Sequence, residues 1–381
     1  MNRVRVGLIG AAGRAAIARH WIDDDRVDIG GVVDVNSESL QWFRNNIQKN
    51  VWSDSDYRRL LERPDIDAIV IMSPDWHHEE HVLASLQAGK HVYVEKPMAI
   101  TIEGCDRMIT AARQTQKILM VGFNMRYMAI FQTMKHLIDR GDIGPIKSVW
   151  VRHFVGLGGE YYFHDWHARR DHTTSLLLQK GTHDLDMIHW LTDQYTRKVA
   201  AFGGLDYFGG HRPNDWECPS CPERDQCPDV QRSWPGHELC AFRQEINVED
   251  NYVLILELAN GIKAAYLQNH FSPDYHRNYT LIGTEGRIEN SEPDAKVWVT
   301  NRRTGTRKAL ADVTYHVIPE EGHANADQKI LSAFIHAIIH NEQPPVDVWA
   351  ARMSVATGVI ATESLRSGGQ VFSVPSQPLI G

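Results

Sequence analysis

Short apolar runs alternate with stretches whose apolar positions recur every three or four residues through the first third of the chain. Val4–Ile9, Val27–Val33, Ala68–Met72, His91–Val94 and Leu119–Phe123 read as buried strands. Between them Arg14–Asp23, Ser39–Ile47, Tyr57–Leu61, Glu79–Ala88 and Ile102–Thr115 carry helical patterns. Strands that alternate with helices in this way build βαβ units on a parallel sheet. From Ile146 the pattern changes to alternate apolar and polar positions, in Ser148–Phe154, Tyr252–Leu258, Lys263–Asn269 and Tyr279–Ile282. That alternation predicts an antiparallel sheet with one covered face. Two helical patterns, Ala326–Ile339 and Val348–Leu365, close the chain.

The predicted class is therefore α/β, with a doubly wound parallel sheet over residues 1–125. An α+β domain with an open, mainly antiparallel sheet follows over 126–381. A Cys-rich stretch at about 206–242 has no clear period and reads as an inserted loop. At 381 residues the chain exceeds a typical single core, in keeping with two domains. A net charge of -8 gives no overall positive field to collect phosphate backbones, so nucleic acid is not an expected partner. No uncharged apolar run approaches the roughly 18 residues of a spanning helix, and glycines break the N-terminal apolar stretch. A cytoplasmic protein with no membrane partner is expected.

Gly7-Leu-Ile-Gly10-Ala-Ala12-Gly13-Arg14 follows the first strand and opens the first helix, the context of a dinucleotide-binding turn in a Rossmann domain. Gly10 permits a tight turn, and Gly13 lets the backbone approach a pyrophosphate at the helix N-terminus. The spacing is G-x-x-G-x-x-A, not G-x-G-x-x-G. Asp34 ends the second strand, where a carboxylate either accepts from ribose hydroxyls or caps the next helix. The first role favours NAD, because a 2'-phosphate would be repelled and Val35, Asn36 and Ser37 supply no arginine.

Ser73-Pro-Asp-Trp-His-His78-Glu and His91-Val-Tyr-Val-Glu95-Lys96-Pro97 each follow an apolar strand, at the sheet edge where open α/β folds bind ligands. The run from Ser73 to Ala99 resembles the glucose-fructose oxidoreductase, inositol dehydrogenase and MocA family, whose hallmark is Glu-Lys-Pro after this strand. Val121-Gly-Phe-Asn124-Met-Arg126-Tyr and Gly181-Thr-His183-Asp-Leu-Asp186 match the family again. The resemblance covers nearly the whole chain apart from the Cys-rich insert. It implies an NAD cofactor bound by Gly10, Ala12, Gly13, Arg14, Asp34, Ser73, His78, Glu95, Lys96 and Asn124, and a cis bond before Pro97. It implies catalysis by Lys96 and His183, oxidation at a sugar C3, and a homodimer or homotetramer built on the exposed face of the second sheet.

An ammonium beside an oxidised nicotinamide, partly out of water, titrates more easily than a free lysine, which suits Lys96 to deprotonating a hydroxyl. A neutral His183 imidazole can take a proton near neutral pH. The family's usual Asp-x-x-x-His pattern is altered here, because Gln179 stands at the Asp position with Lys180 beside it. Either His183 works without a carboxylate relay or Lys180 has become a substrate or catalytic residue.

Tyr161–His172 has the aromatic and cationic density of a sugar-binding loop. Trp166 can stack on a pyranose face, and Arg169, Arg170 and His172 can meet hydroxyls or an anion, as can Arg126, Gln179 and Lys180. The expected partner is thus a carbohydrate, with an acidic sugar as one version. Cys218, Cys221, Cys227 and Cys240 have spacings that tetrahedral zinc favours, with His237 as a substitute for Cys240; an oxidisable or empty thiol cluster is the alternative. Three functional readings follow. The first is an NAD-dependent sugar or polyol dehydrogenase. The second is a glycosidase with tightly bound NAD working through transient C3 oxidation, with a sulfoquinovoside among its candidate substrates. The third is an NAD-binding regulator without turnover.

Overall fold

The computed structural model describes residues 3–156, 160–231, 238–291, 294–303, 312–317 and 324–378. Six parallel strands, β1 (Val4–Ile9), β2 (Val27–Val33), β3 (Ser53–Asp54), β4 (Ala68–Ile71), β5 (His91–Val94) and β6 (Leu119–Val121), form one sheet. Their order is β3-β2-β1-β4-β5-β6, with every pair parallel. This is the doubly wound arrangement, and the strand order reverses between β1 and β4. β1, β2, β4 and β5 are mainly apolar because helices cover both faces of such a sheet; Val6, Leu8, Ile69, Val70 and Val92 have no exposed surface. The crossovers include α1 (Ser37–Asn46), α2 (Tyr57–Leu61), α3 (His78–Gln87) and α4 (Ile102–Thr115). Side chains start three of these helices: Asn36, Asp56 and Thr101 accept backbone N–H bonds at their N-termini. The first crossover differs from the predicted α-helix. Gly13–Trp21 is a 3-10 helix whose N-cap, Ala12, offers no side-chain bond.

The second sheet has nine strands: β7 (Ile146–Phe154), β8 (Thr196–Gly204), β9 (Asn251–Leu258), β10 (Lys263–Asn269), β11 (His276–Gly283), β12 (Gly286–Ser291), β13 (Lys296–Asn301), β14 (Val313–His316) and β15 (Phe372–Ser373). Their order is β14-β13-β12-β11-β7-β10-β9-β8-β15. The sheet is mainly antiparallel, as predicted, but β7 and β10 pair in parallel at its centre. Its helices are α5 (Ala129–Asp139), the short α6 (Arg170–Thr173) and α7 (Leu176–Gln179), and α8 (Thr182–Thr192). The chain ends through α9 (Ala324–His340) and α10 (Val348–Arg366). None of the described helices is long and apolar enough to cross a membrane.

Two compact units result, one of residues 1–128, 320–355 and 377–381, the other of 129–319 and 356–376. Residues 324–355 thus group with the parallel sheet and not with the second sheet. The apolar side of α9 accounts for this: Ile330, Phe334 and Ile335 are fully buried, and the Phe334 ring lies 5.8 Å from that of Tyr93 on β5.

Candidate active site

In the first unit the turn after β1 has the geometry a phosphate cradle requires. Gly10 has φ +100°, and a Cβ there would come within 2.8 Å of the Met72 carbonyl group, so both conformation and space demand glycine. Gly13 has φ +55° with nothing within 4 Å of its Cβ position, leaving open space against the turn. Asp34 closes this turn: its carboxylate accepts from the Ala11 N–H at 2.8 Å and from the Asn36 N–H at 2.8 Å. A turn with exposed backbone and an acid at the end of β2 fits the diphosphate and ribose of a dinucleotide.

Lys96 and Pro97 follow β5 at the same sheet edge, joined by a cis peptide bond. His78, almost fully buried, braces the segment, with Nδ1 2.7 Å from the Pro97 carbonyl oxygen and Nε2 2.9 Å from that of Ser73. Burial holds the His78 pKa below the ordinary imidazole range. Ser73 meets His81 Nδ1 through its hydroxyl at 2.9 Å. Glu95 is buried and accepts from Arg14 Nε at 3.1 Å and Nη2 at 2.8 Å. The remaining edge of Arg14 meets Asp327 on α9. Asn124, buried after β6, donates to Asp327 at 2.8 Å. Arg126 is also buried nearby in sequence.

In the second unit, strand register assembles a polar cluster under α8. Tyr279, Val151 and Tyr266 stand in one row across β11, β7 and β10, and Arg277, His153 and Gln268 in the row two residues on. Side chains of both rows share a face, because strand periodicity is two. Into this face α8 inserts Asp184, which has no exposed surface. Its carboxylate accepts from Tyr266 at 2.7 Å, from His153 Nδ1 at 2.7 Å and from the Tyr279 hydroxyl, with the Arg277 guanidinium 3.2 Å away. Burial alone would raise the Asp184 pKa, but Arg277, His153 and these hydrogen bonds hold it well below the carboxylate range. Burial, then Arg277, takes His153 down to about 3 against the opposing pull of Asp184, so the imidazole is neutral.

His183 precedes Asp184 in the first turn of α8 and is itself buried. Gly181 caps that helix where a Cβ would come within 2.5 Å of the Leu177 carbonyl oxygen and 2.7 Å of Gln268 Oε1. Gln179 is buried, and the Lys180 ammonium lies 5.5 Å over the Tyr162 ring. Trp166 stacks on His167 at 3.6 Å. The cations of the neighbouring loop are matched by carboxylates. Arg169 pairs with Asp171 at 2.8 Å and Glu245 at 3.7 Å, Arg170 with Glu249 at 2.9 Å, and His172 lies 3.9 Å from Asp171.

The zinc expectation finds no support among the described residues. Cys218, Cys221, Cys227 and Cys240 are free thiols, and among the described residues no group of three or more His, Cys, Asp or Glu is arranged to hold a metal ion. His237 lies outside the described residues. Burial raises the pKa of both Cys218 and Cys240, and the neighbouring thiols of the cluster add to the rise. Their sulfurs accept from the Gln231 and Phe242 N–H groups. The insert is instead fastened by the fully buried Arg243, which donates to the Cys240 and Asp165 carbonyls at 3.0 Å each and to that of Phe163.

The sequence reading missed Asp327, Asp184, His153 and Arg277. For the last two a signal existed, because each is a polar residue at a core-facing position of an alternating strand. Asp327 had none, since a single acid near the start of a helix is commonplace.

A doubly wound parallel sheet with a glycine turn after its first strand, followed in the same chain by an open mixed sheet, defines a two-unit α/β protein whose first sheet has the Rossmann arrangement. The chain belongs to the Gfo/Idh/MocA oxidoreductase family: residues 4–123 match its NAD-binding Rossmann fold and 135–372 its C-terminal alpha/beta domain. It is 33% identical over 376 residues to 1,5-anhydro-D-fructose reductase of Ensifer adhaerens, covering 96% of this chain and 97% of that protein. To inositol 2-dehydrogenase of Klebsiella pneumoniae it is 31% identical over 201 residues, 51% of this chain and only 56% of the relative's length. The solved structure of a levoglucosan dehydrogenase in complex with NADH and levoglucosan has a similar fold, with a TM-score of 0.80 at 20% identity over 98% of this chain and all of that one.

Proposed function

We propose that this protein is an NAD-dependent oxidoreductase acting on a hydroxyl of a sugar, sugar derivative or polyol, with Lys96 and His183 as its proton-handling groups. The observation that carries this reading is the conjunction, at one edge of the parallel sheet, of the Asp34-closed glycine turn with Lys96. The reductase and dehydrogenases to which the chain is similar, named for a sugar derivative, a polyol and an anhydrosugar, support the substrate class.

NAD, when bound, supplies the hydride acceptor. Gly10, Ala12 and Gly13 present backbone to its diphosphate, while Asp34 receives ribose hydroxyls and disfavours a 2'-phosphate. Ser73, His78 and Glu95 contribute by holding the loop and strand end around Lys96. Lys96 polarises the reacting hydroxyl and holds its proton; His183 accepts that proton. Gln179 brings no carboxylate to assist, so the buried Asp184 cluster serves to orient the first turn of α8 and not to relay charge. Arg126, Trp166, Gln179 and Lys180 are the proposed substrate contacts. For Arg169 and His172 that role competes with their carboxylate neighbours, which makes Lys180 the stronger candidate for meeting an anionic substituent. C3 is the proposed position of oxidation. We also propose a homodimer or homotetramer through the second sheet.

The deciding assay mixes the protein and NAD with free sugars and polyols, and separately with chromogenic glycosides, while NADH absorbance and aglycone release are followed together. Net NADH from a free sugar or polyol is the expected result. Aglycone release without net NADH would select the redox-neutral glycosidase, and NADH binding without turnover would select a regulator. Lys96→Met is expected to cut turnover by a factor of about 10² or more with NADH affinity changed much less. Unimpaired turnover in that variant would remove Lys96 from the chemistry.

A further inference from the structure

We infer that Asp327 is a positioning residue for the cofactor turn, and that Arg14, although it directly follows Gly13, is a tie between the segments that follow β1 and β5 and not a phosphate ligand. The inference rests on the dinucleotide reading of that turn. The first 3-10 helix has no side-chain N-cap bond and no acidic residue in its first turn, so its own side chains do not fix where it starts. Arg14 at that start is fixed from elsewhere. Its Nε and Nη2 donate to Glu95 Oε1, at 3.1 and 2.8 Å, and its Nη1 and Nη2 donate to Asp327, at 3.0 and 2.9 Å. A guanidinium has five N–H donors, and these contacts engage four of them. Asp327 Oδ1 also accepts from Asn124 at 2.8 Å.

One carboxylate from α9 therefore ties together groups that follow β1 and β6 and, through Arg14, the residue before Lys96. Arg14 and Glu95 come from strands separated in the sheet by β4. Charge points the same way. A lone arginine beside the turn would attract diphosphate, but here one cation stands against two buried carboxylates and the group of three carries a net charge of -1. Burial works to lower the Arg14 pKa, and Glu95 and Asp327 outweigh it, raising it above the ordinary arginine range. Taking this guanidinium to a phosphate would remove from Glu95 and Asp327, both 8% exposed or less at the side chain, the cation that they share.

The two roles predict opposite signs for one substitution. Arg14→Gln, Asp327→Asn and the double variant are compared by NADH fluorescence titration and, without cofactor, by urea denaturation. As a tie, each single change weakens NADH binding about tenfold and lowers the denaturation midpoint, and the double variant is no worse than either single by more than about twofold. Asp327→Glu, which keeps the charge, recovers part of both losses. As a phosphate ligand, Arg14→Gln weakens binding while Asp327→Asn, which releases the arginine and removes a negative charge, leaves it unchanged or tightens it. That outcome, or additive losses in the double variant, overturns the inference. If Asp327→Asn does not fold, Asn124→Ala, which removes one bond to the same carboxylate, takes its place: a smaller loss of both readouts is expected, and no change in either rejects the tie. Failure of the unsubstituted protein to bind NADH would defeat the proposed function, whereas the urea cycle would still decide whether the tie exists.

Discussion

At the scale of single residues, the two glycines of the turn are not equivalent, though the motif presents them alike. Both have positive φ, yet only Gly10 is crowded, with backbone of Met72 at 2.8 Å from its would-be Cβ. Gly13→Ala carries conformational strain alone, about 1–2 kcal/mol, while Gly10→Ala adds a clash with a strand end that cannot swing aside, about 1–3 kcal/mol more. Chemical denaturation of the cofactor-free variants should therefore rank Gly10→Ala as clearly less stable, and equal losses would refute the distinction. The reverse ordering is expected for NADH affinity, because the open space at Gly13 is where a methyl group would meet a ligand. The motif made the turn legible from local chemistry. It gave no sign of the carboxylates that engage Arg14, since they come from 81 and 313 residues away.

At the scale of elements, strands were legible wherever burial is two-sided or alternation is strict. The predicted bounds of Val4–Ile9, Val27–Val33 and Lys263–Asn269 coincide with β1, β2 and β10. β8 escaped because Thr196, Arg197 and Lys198 open it and two glycines close it. Parallel pairing of β7 with β10 had no local signature, because it depends on register between strands more than a hundred residues apart. That register also sets a pH dependence. An unfolded histidine takes a proton near pH 6.5, but buried His153 does so only at about 3. Between these values the unfolded chain binds more protons, so stability falls as pH falls, by up to about 1.4 kcal/mol per pH unit for this one group. His270, whose pKa burial depresses strongly, adds to the same slope. Asp184 extends the loss below its unfolded value of 3.8, because its folded pKa is depressed. Urea midpoints measured at pH 7, 5.5 and 4.5 should decline, and His153→Gln should decline less steeply from its own lower starting point. A parallel slope in that variant would mean the imidazole is already charged in the folded protein.

At the scale of the whole molecule, the second sheet presents a face that a solitary chain leaves wet. Trp150, Ala265 and Ile255 align across β7, β10 and β9, and Arg152, Leu267, Val253 and Phe202 align in the next row on the same side. Ile255 is 57% exposed and Phe202 63%, beside half-exposed Trp150 and Val253. Single exposed apolar residues are ordinary, but a contiguous patch across four strands is a mark of association. A second copy applied through a two-fold axis would cover equivalent rows on both chains at once, which is the economical way to bury such a surface. The alternation that identified these strands could equally have placed polar residues outward, and the apolar choice on both faces is what distinguishes this sheet from an ordinary half-solvated one. Ile255→Asp with Phe202→Lys should therefore shift the mass measured by light scattering towards the monomer while leaving the NADH affinity of the first unit within about twofold, since both positions belong to the other unit. An unsubstituted protein that runs as a monomer at micromolar concentration would leave this face exposed in solution and end the proposal of self-association through it.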